Sequence, residues 1–309
     1  MTAQFFDHHY TVRCGRFLYD LSIIASARLP VFATPAAEFL ELNAAVAPAT
    51  LPAAIDAGFP LALIHRPENA ADPANDETAS ADAAQAGEIR PEQPAKDRVR
   101  LALVWIAPDP RNPAVAMQTN PAAIVARIQT MLAQKTAVSP AIEGLGELAT
   151  ANHLQIQASV IELAAGGVGE AGGLDDDTLE RILPKRFHAA LAEERAREAT
   201  LAYIQVCTAG LPPLVHVHSQ GIIFPIRSWV PAGLYPEWQP LCQSIECEIG
   251  DRLVIHTELT ARAEALKQFH RSLQSGAIDW SLFHEQGDGP GASTAALVLT
   301  VTGPSGEAA

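Results

Sequence analysis

The clearest fold signal of the chain spans residues 59–106. Two apolar stretches, FPLALI (residues 59–64) and VRLALVWI (residues 99–106), flank an acidic segment, RPENAADPANDETASADAAQAGEIRPEQPAKD (residues 66–97). Both apolar stretches have the length and composition typical of buried strands. The segment between them has almost no large apolar side chain, so burial cannot offset the entropy cost of ordering it. We therefore predict a disordered acidic insertion, 66–97, between two strands of one sheet.

On both sides of this segment, strand and helix patterns alternate. Asn120 followed by Pro121 is a helix start signal, and apolar residues spaced by four predict an amphipathic helix over Pro121–Gln134. The strongest helix pattern covers Lys185–Cys207. Strands are predicted at Tyr10–Cys14, Phe17–Leu29, Leu154–Leu163, Leu214–His218, Ile222–Trp229, Arg252–Leu259 and Ala295–Thr302.

A glycine-rich segment at residues 166–173 separates the two halves of the chain. We interpret it as a connector between an N-terminal α/β lobe (1–165, including the insertion) and a C-terminal α+β lobe (174–309). Its Gly167, Gly169 and Gly172 have dinucleotide-binding spacing, but three aspartates, Asp175 to Asp177, occupy the helix start where a pyrophosphate would sit. The predicted fold class is α/β or α+β, with mixed β-sheets and flanking helices in two lobes.

Composition excludes several classes of protein. The 309 residues include 35 acidic and 21 basic side chains, a formal charge of −14, so a nucleic acid partner is disfavoured. Eight acidic and three basic residues of segment 66–97 supply −5 of this charge, and the remaining chain is therefore less acidic than the total suggests. Four scattered cysteines, no secretory signal and no long apolar run predict a soluble cytoplasmic protein without a membrane segment.

Two histidine-containing strands carry the strongest chemical signal. His216 and His218 alternate with valine on one predicted strand, and His256 and Glu258 have the same spacing on another. If these strands are neighbours, three imidazoles and one carboxylate converge on a divalent metal such as Zn, Fe or Mn. The alternative is an ordinary sheet face on which the histidines pair with Glu or with backbone carbonyls.

Aromatic residues concentrate after the second strand of the predicted 214–229 hairpin. Phe224, Trp229, Tyr235 and Trp238 lie among prolines in a stretch that passes from strand into loop. Pro225 indicates an edge strand, because proline cannot donate to a neighbouring strand. Aromatics in such a loop either pack on the core or bind a partner protein, and we identify these four as the candidate partner-binding residues.

These observations lead to two functional hypotheses. The first is a soluble, non-catalytic subunit or accessory factor of a larger cytoplasmic assembly, because the chain lacks a complete catalytic motif and carries the aromatic loop. The second is a metal-dependent enzyme that uses His216, His218, His256 and Glu258 on adjacent strands. A small-molecule-binding α/β domain is a third alternative.

Overall fold

The computed structural model shows two six-stranded sheets with helices. It describes residues 6–15, 17–25, 31–33, 51–52, 55, 58–65, 98–116, 119–133, 137–164, 184–190, 192, 200–226, 230–234, 238–257, 267–268, 271–273, 275 and 295–304. Of the two predicted classes, α/β or α+β, the second is confirmed: among the described residues the strands are antiparallel in all pairs but one, and the helices are few.

Sheet A has the strand order β1-β2-β12-β11-β8-β9. Its strands are β1 (Phe6–Cys14), β2 (Phe17–Ala25), β8 (Val215–His218), β9 (Gly221–Ile223), β11 (Arg252–His256) and β12 (Ala295–Pro304). The predicted hairpin is present, because β8 pairs with β9 across a two-residue turn. Strand β9 lies at the sheet edge, as the neighbouring proline predicts.

Sheet B has the strand order β10-β7-β6-β5-β4-β3. Its strands are β3 (Val31–Ala33), β4 (Phe59–His65), β5 (Arg98–Pro108), β6 (Leu154–Ala164), β7 (Ala202–Ala209) and β10 (Leu241–Cys247). Strands β4 and β5, which flank segment 66–97, are antiparallel neighbours, so the segment connects two strands of one sheet as predicted. The segment itself lies outside the described residues.

The inner faces of the two sheets share one hydrophobic core. Alternate residues of the strands point into it, as in Tyr19, Leu21 and Ile23 of β2 and Leu101 and Leu103 of β5. Burying such side chains removes roughly 25 cal/mol of unfavourable hydration per Å² of apolar surface. The sandwich therefore fixes which face each strand residue occupies, and this decides the geometry of the candidate site.

The outer face of sheet B is covered by helices. The described helices are α1 (Pro113–Ala116), α2 (Pro121–Ala133) and α3 (Val138–Ala151). Helix α2 begins as the sequence predicts, because the Asn120 side chain accepts a hydrogen bond from the Ala122 backbone N–H at 3.0 Å. Its buried Ile124, Ile128 and Leu132 pack with α3 and the sheet. None of the described helices is long and apolar enough to cross a membrane.

Two sequence-based expectations differ from the structure. The predicted helix over Lys185–Cys207 is wrong at its C-terminal end, because Ala202–Ala209 is strand β7, which lies between β10 and β6 in sheet B. At the start of the same segment a 3₁₀ turn covers Lys185–Phe187. The sheets also do not follow the predicted division into lobes 1–165 and 174–309. Sheet A combines β1 and β2 with four strands from the C-terminal half, and sheet B combines β3–β6 with β7 and β10.

Candidate metal centre

The two histidine-containing strands are neighbours, as the metal hypothesis requires. Strand β8 pairs antiparallel with β11, and His216 lies directly opposite Leu253. Leu253 belongs to the core between the sheets, so His216 also points inward. His256 lies opposite Ala296, which belongs to the hydrophobic cluster on the outer face of sheet A. His216 and His256 therefore project from opposite faces of one sheet.

The remaining members of the predicted ligand set are distributed accordingly. His218 shares the inner face with His216, is half-buried, and lies with its ring centroid 5.4 Å from that of His216. His256 is buried, and its Nδ1 donates to the Thr257 carbonyl at 2.8 Å. Glu258 lies outside the described residues. The structure therefore brings together His216 and His218 and separates them from His256. Successive residues of a strand point to opposite faces, and His256 lies three residues, an odd number, after the inward-facing Leu253.

Two residues that the sequence analysis did not select complete a cluster around His216. His216 Nε2 donates a hydrogen bond to Asp251 Oδ2 at 2.9 Å, and Cys247 Sγ lies 3.9 Å from the same nitrogen. The donor atoms of the three side chains lie within 4.8 Å of one another, and none of the three residues is more than 5% exposed. Within the part of the chain that the structure describes, this is the one group of three with the spacing of metal ligands.

The turn between β10 and β11 positions Asp251. Its carboxylate accepts a hydrogen bond from the Glu248 backbone N–H at 2.9 Å, and its backbone N–H donates to the Glu248 carbonyl at 3.0 Å. Gly250 donates to the Val301 carbonyl at 2.7 Å from a backbone with φ of 95°, a conformation that favours glycine. The turn is thus fixed to β12, and Asp251 is held against His216.

The same geometry argues against a nucleophilic thiol. Burial, followed by the nearby Asp251 carboxylate, raises the pKa of Cys247 far above its ordinary value of 9.0. In a Cys–His–Asp triad the thiol and the carboxylate contact different ring nitrogens, whereas here both lie against Nε2 of His216. The three groups point at one location, which is the arrangement of ligands and not of a proton relay.

The types of donor atom indicate which cation the cluster would hold. Imidazole nitrogen, thiolate sulfur and carboxylate oxygen together suit zinc, whereas Mg²⁺ and Mn²⁺ favour oxygen ligands. The residues present therefore fit a zinc-type cation.

Sequence reasoning missed Cys247 and Asp251 for identifiable reasons. Cys242 and Cys247, with four residues between them, lack zinc-ribbon spacing, and an aspartate that follows a glycine, as Asp251 follows Gly250, is typical of an ordinary turn. The usable signal is local: Asp251 follows Cys247 at the fourth position, across the Gly-containing turn that connects strand β10 of sheet B with strand β11 of sheet A. It becomes informative only beside His216, which is distant in sequence.

The described members of the aromatic set pack on the protein itself. Phe224 packs against the outer cluster of sheet A, and Trp238 packs against the helix-covered core of sheet B. Trp229 and Tyr235 lie outside the described residues. The proline-rich loop thus contributes to two cores, and a protein partner at these four residues stays a prediction.

A shallow pocket of about 160 Å³ lies away from the metal cluster, lined by residues 109–111, 154–155 and 231–234. Its one basic side chain, Arg111, forms a salt bridge with Asp109 at 2.9 Å. That hydrogen-bonded guanidinium holds the pKa of Asp109 below its ordinary value. Because its cation is already paired, the pocket is a weaker candidate for an anionic ligand than the cluster is for a metal.

Comparison with known proteins identifies no family. No family model matches the chain, and no curated protein matches it. Solved structures that resemble it include RsbX in complex with magnesium (12% identity, TM-score 0.42, covering 66% of this chain and 82% of the other). They also include the RsbU and RsbW domains of Rv1364c from Mycobacterium tuberculosis, with 16% identity and a TM-score of 0.42, covering 67% of this chain and 53% of the other. A third is the PP2C phosphatase domain with a regulatory fragment of SpoIIE from Bacillus subtilis, with 12% identity and a TM-score of 0.42, covering 68% of this chain and 57% of the other.

These comparisons correct one expectation. Several of the solved structures that resemble the chain are named as phosphatases, which are catalytic proteins, so the interpretation as a non-catalytic subunit is wrong and the metal-dependent enzyme agrees better. All the TM-scores lie below 0.5 and all the identities below 25%, so neither the activity nor the substrate of those proteins is transferred to this chain.

Proposed function

We propose that the chain is a metal-dependent hydrolytic enzyme whose zinc ion is held by His216, Cys247 and Asp251. The observation that carries this proposal is the convergence of three buried donor atoms within 4.8 Å. Three protein ligands leave a fourth position for water or substrate, as in catalytic zinc sites. Of the four predicted ligands the proposal keeps His216 alone. The other two ligands are Cys247, the last residue of β10, and Asp251 in the β10–β11 turn.

The chain's own residues would divide the work as follows. Zinc, when bound, supplies a Lewis acid and lowers the pKa of a coordinated water. Without metal, the Asp251 carboxylate holds the His216 imidazole through the 2.9 Å contact with Nε2 and is itself held by the Glu248 backbone. With zinc bound, this carboxylate and His216 Nε2 would both be ligands, in place of the hydrogen bond between them. His218, the last residue of β8, is half-buried on the same face as His216, and the Gln220 backbone N–H donates to its Nδ1 at 3.2 Å. This leaves the Nε2 of His218 to accept or deliver a proton beside the ligand cluster.

The donor set also favours zinc over the metals that are named with two of the solved structures. One of those is in complex with magnesium, and another is a serine/threonine protein phosphatase with two manganese ions. A thiol and an imidazole are poor ligands for such hard cations. We therefore expect zinc to bind more tightly than magnesium or manganese.

The test is metal analysis of the full chain purified without chelators. We expect about one equivalent of zinc in the wild type, and loss of that zinc in His216→Ala and Asp251→Asn. His256→Ala is the matched control, because it removes a buried imidazole from the opposite face of the same sheet. Absence of metal from the wild type, or equal zinc in His216→Ala and His256→Ala, would refute the assignment.

Activity is then measured on the zinc-loaded and metal-free protein with chromogenic phosphate esters, carboxylate esters and amides. We expect hydrolysis of at least one class that depends on zinc and falls about 10²-fold in His218→Gln. Full zinc occupancy without hydrolysis of any of these substrates would contradict the enzymatic part of the proposal and leave a structural metal site.

A further inference from the structure

Strand β10 connects the metal cluster with a disulfide. Cys242 of β10 lies directly opposite Cys207 of β7, and the two sulfurs are bonded. Cys207 is completely buried, whereas Cys242 is exposed. We therefore expect a reagent in solution to reach the disulfide from the side of Cys242.

Strand β10 is the edge of sheet B and depends on β7 for its attachment. Among the described strands it pairs with β7 alone. Five of its seven residues are exposed, and only Ile245 and Cys247 are buried. An edge strand with so little buried surface belongs to the least stable part of a fold, so the covalent bond supplies a large share of its attachment.

The two cysteines of β10 have different roles because they project to opposite faces. Cys242 lies on the face of Cys207, which belongs to the helix-covered core of sheet B, whereas Cys247 belongs to the core between the sheets, beside His216. Cys247 therefore cannot exchange with the disulfide inside the folded protein. Cys247 is linked to Cys242 only through strand β10, which carries both residues.

We propose that the Cys207–Cys242 disulfide is a reducible site that controls how firmly β10, and with it Cys247, is held against His216. The metal part of this inference rests on the proposed function. With the disulfide formed, the strand is fixed at both ends, at Cys242 by the bond and at Cys247 by burial and by its pairing with Ala202. With the disulfide reduced, β10 keeps only its backbone hydrogen bonds and two buried side chains.

The reaction needs a dithiol as reductant. One thiolate of the dithiol attacks the exposed Cys242 sulfur, a mixed disulfide forms, and Cys207 leaves as a thiolate that takes up a proton. The second thiolate of the dithiol attacks the mixed disulfide, closes the reductant into its own disulfide and releases Cys242. Two electrons pass from the dithiol to the protein, and both cysteines end as thiols.

The experiment compares hydrogen exchange and zinc affinity in oxidised protein and in protein reduced with dithiothreitol and then freed of it without oxygen. Cys242→Ser reproduces the reduced state without reductant, and dithiothreitol should change this variant no further. We expect amides of residues 244–247 to exchange at least about tenfold faster in the reduced protein, while those of β6 stay unchanged. We expect zinc to bind about tenfold more weakly.

The outcomes separate the two proposals. Unchanged exchange at residues 244–247 overturns the redox inference, whatever the metal content. Faster exchange with weaker zinc binding supports both proposals. Faster exchange in a protein that holds no zinc in either state supports control of the strand and refutes the metal site. Faster exchange with unchanged zinc affinity overturns the coupling between the disulfide and Cys247.

Discussion

The buried ion pair between Arg100 and Glu162 provides the sharpest test of the packing described above. The two residues are directly opposed on β5 and β6, and Arg100 Nε donates to Glu162 Oε2 at 2.7 Å. The Arg100 side chain has no exposed surface and Glu162 has 6%. Arg100 also donates to the Leu132 carbonyl in the last turn of α2 at 2.9 Å, so it satisfies a helix-terminal acceptor and joins the helix to the sheet.

The expected cost follows from this burial. Glu162→Ala removes the carboxylate that Arg100 Nε contacts while the guanidinium stays fully buried, and we expect the free energy of unfolding to fall by about 3–5 kcal/mol. The double variant Arg100→Met/Glu162→Leu removes both charges and fills similar volume, and it should lie within roughly 1 kcal/mol of the wild type. Arg98→Met is the control: its guanidinium lies 3.7 Å from Glu162 and is 27% exposed, so its loss should cost less than about 1 kcal/mol.

The assay is urea unfolding followed by tryptophan fluorescence and by circular dichroism, with the unfolding free energies combined in a double-mutant cycle. A loss below about 1 kcal/mol for Glu162→Ala would show that water solvates the Arg100 charge. It would thereby refute the burial of Arg100 between α2 and sheet B. A double variant as unstable as Glu162→Ala would show that the helix contact at Leu132, and not the charge, sets the cost.

Three further predictions concern other parts of the molecule. Gly210→Ala should destabilise the fold by at least about 1–2 kcal/mol in thermal unfolding, because φ is 74° and a Cβ atom would lie 2.7 Å from the Pro231 backbone; an unchanged melting temperature would contradict this close approach. Arg111→Met should raise the pKa of Asp109 toward its ordinary value of 3.8. In the wild type this pair stabilises the fold above that value and loses its effect as the pH falls through the lowered pKa; carboxyl-carbon NMR titration checks the shift, and an identical titration in the variant would contradict the assignment. Cys247 should resist alkylation in the native metal-free protein and react on unfolding, since it is fully buried; mass spectrometry of the labelled peptides decides, and labelling at equal rates in both states would contradict the burial.

Local patterns predicted much of the secondary structure. The strands around segment 66–97 and the β8–β9 hairpin follow from runs of apolar residues and from turn chemistry that the chain carries locally. The start of α2 follows from Asn120 and Pro121 in the same way. The metal hypothesis was conditional on β8 and β11 being neighbours, and the structure shows that these two strands pair.

Long-range order could not be predicted in the same way. The glycine-rich segment at 166–173 suggested a boundary, but a local composition change carries no information about which strands pair across it. The helix over Lys185–Cys207 was predicted with its charged side chains on a solvated face, whereas the apolar alternation in Ala202–Ala209 is satisfied by burial between β10 and β6 of sheet B. Tertiary context therefore overrode helix propensity in the last part of the segment.

The candidate site illustrates the same limit at the level of single side chains. Spacing correctly grouped His216 with His218, because residues two apart on a strand share a face. It could not relate them to His256, because the faces depend on the register of β8 against β11, and Leu253, not His256, lies opposite His216. Cys247 ends strand β10 of the other sheet, and only the packing of the two sheets brings it beside His216.

The position of β12 has a consequence for the order of folding. This strand, Ala295–Pro304, lies between β2 and β11, so that Ser22 pairs with Val298 near the other end of the chain. During synthesis β1 and β2 emerge early but must wait for β12 before sheet A can close, and until then β2 and β11 each expose an unpaired edge. Pairing across so large a sequence separation is slow. The nascent protein therefore passes through a period in which chaperone binding or aggregation competes with completion of the sheet that carries His216.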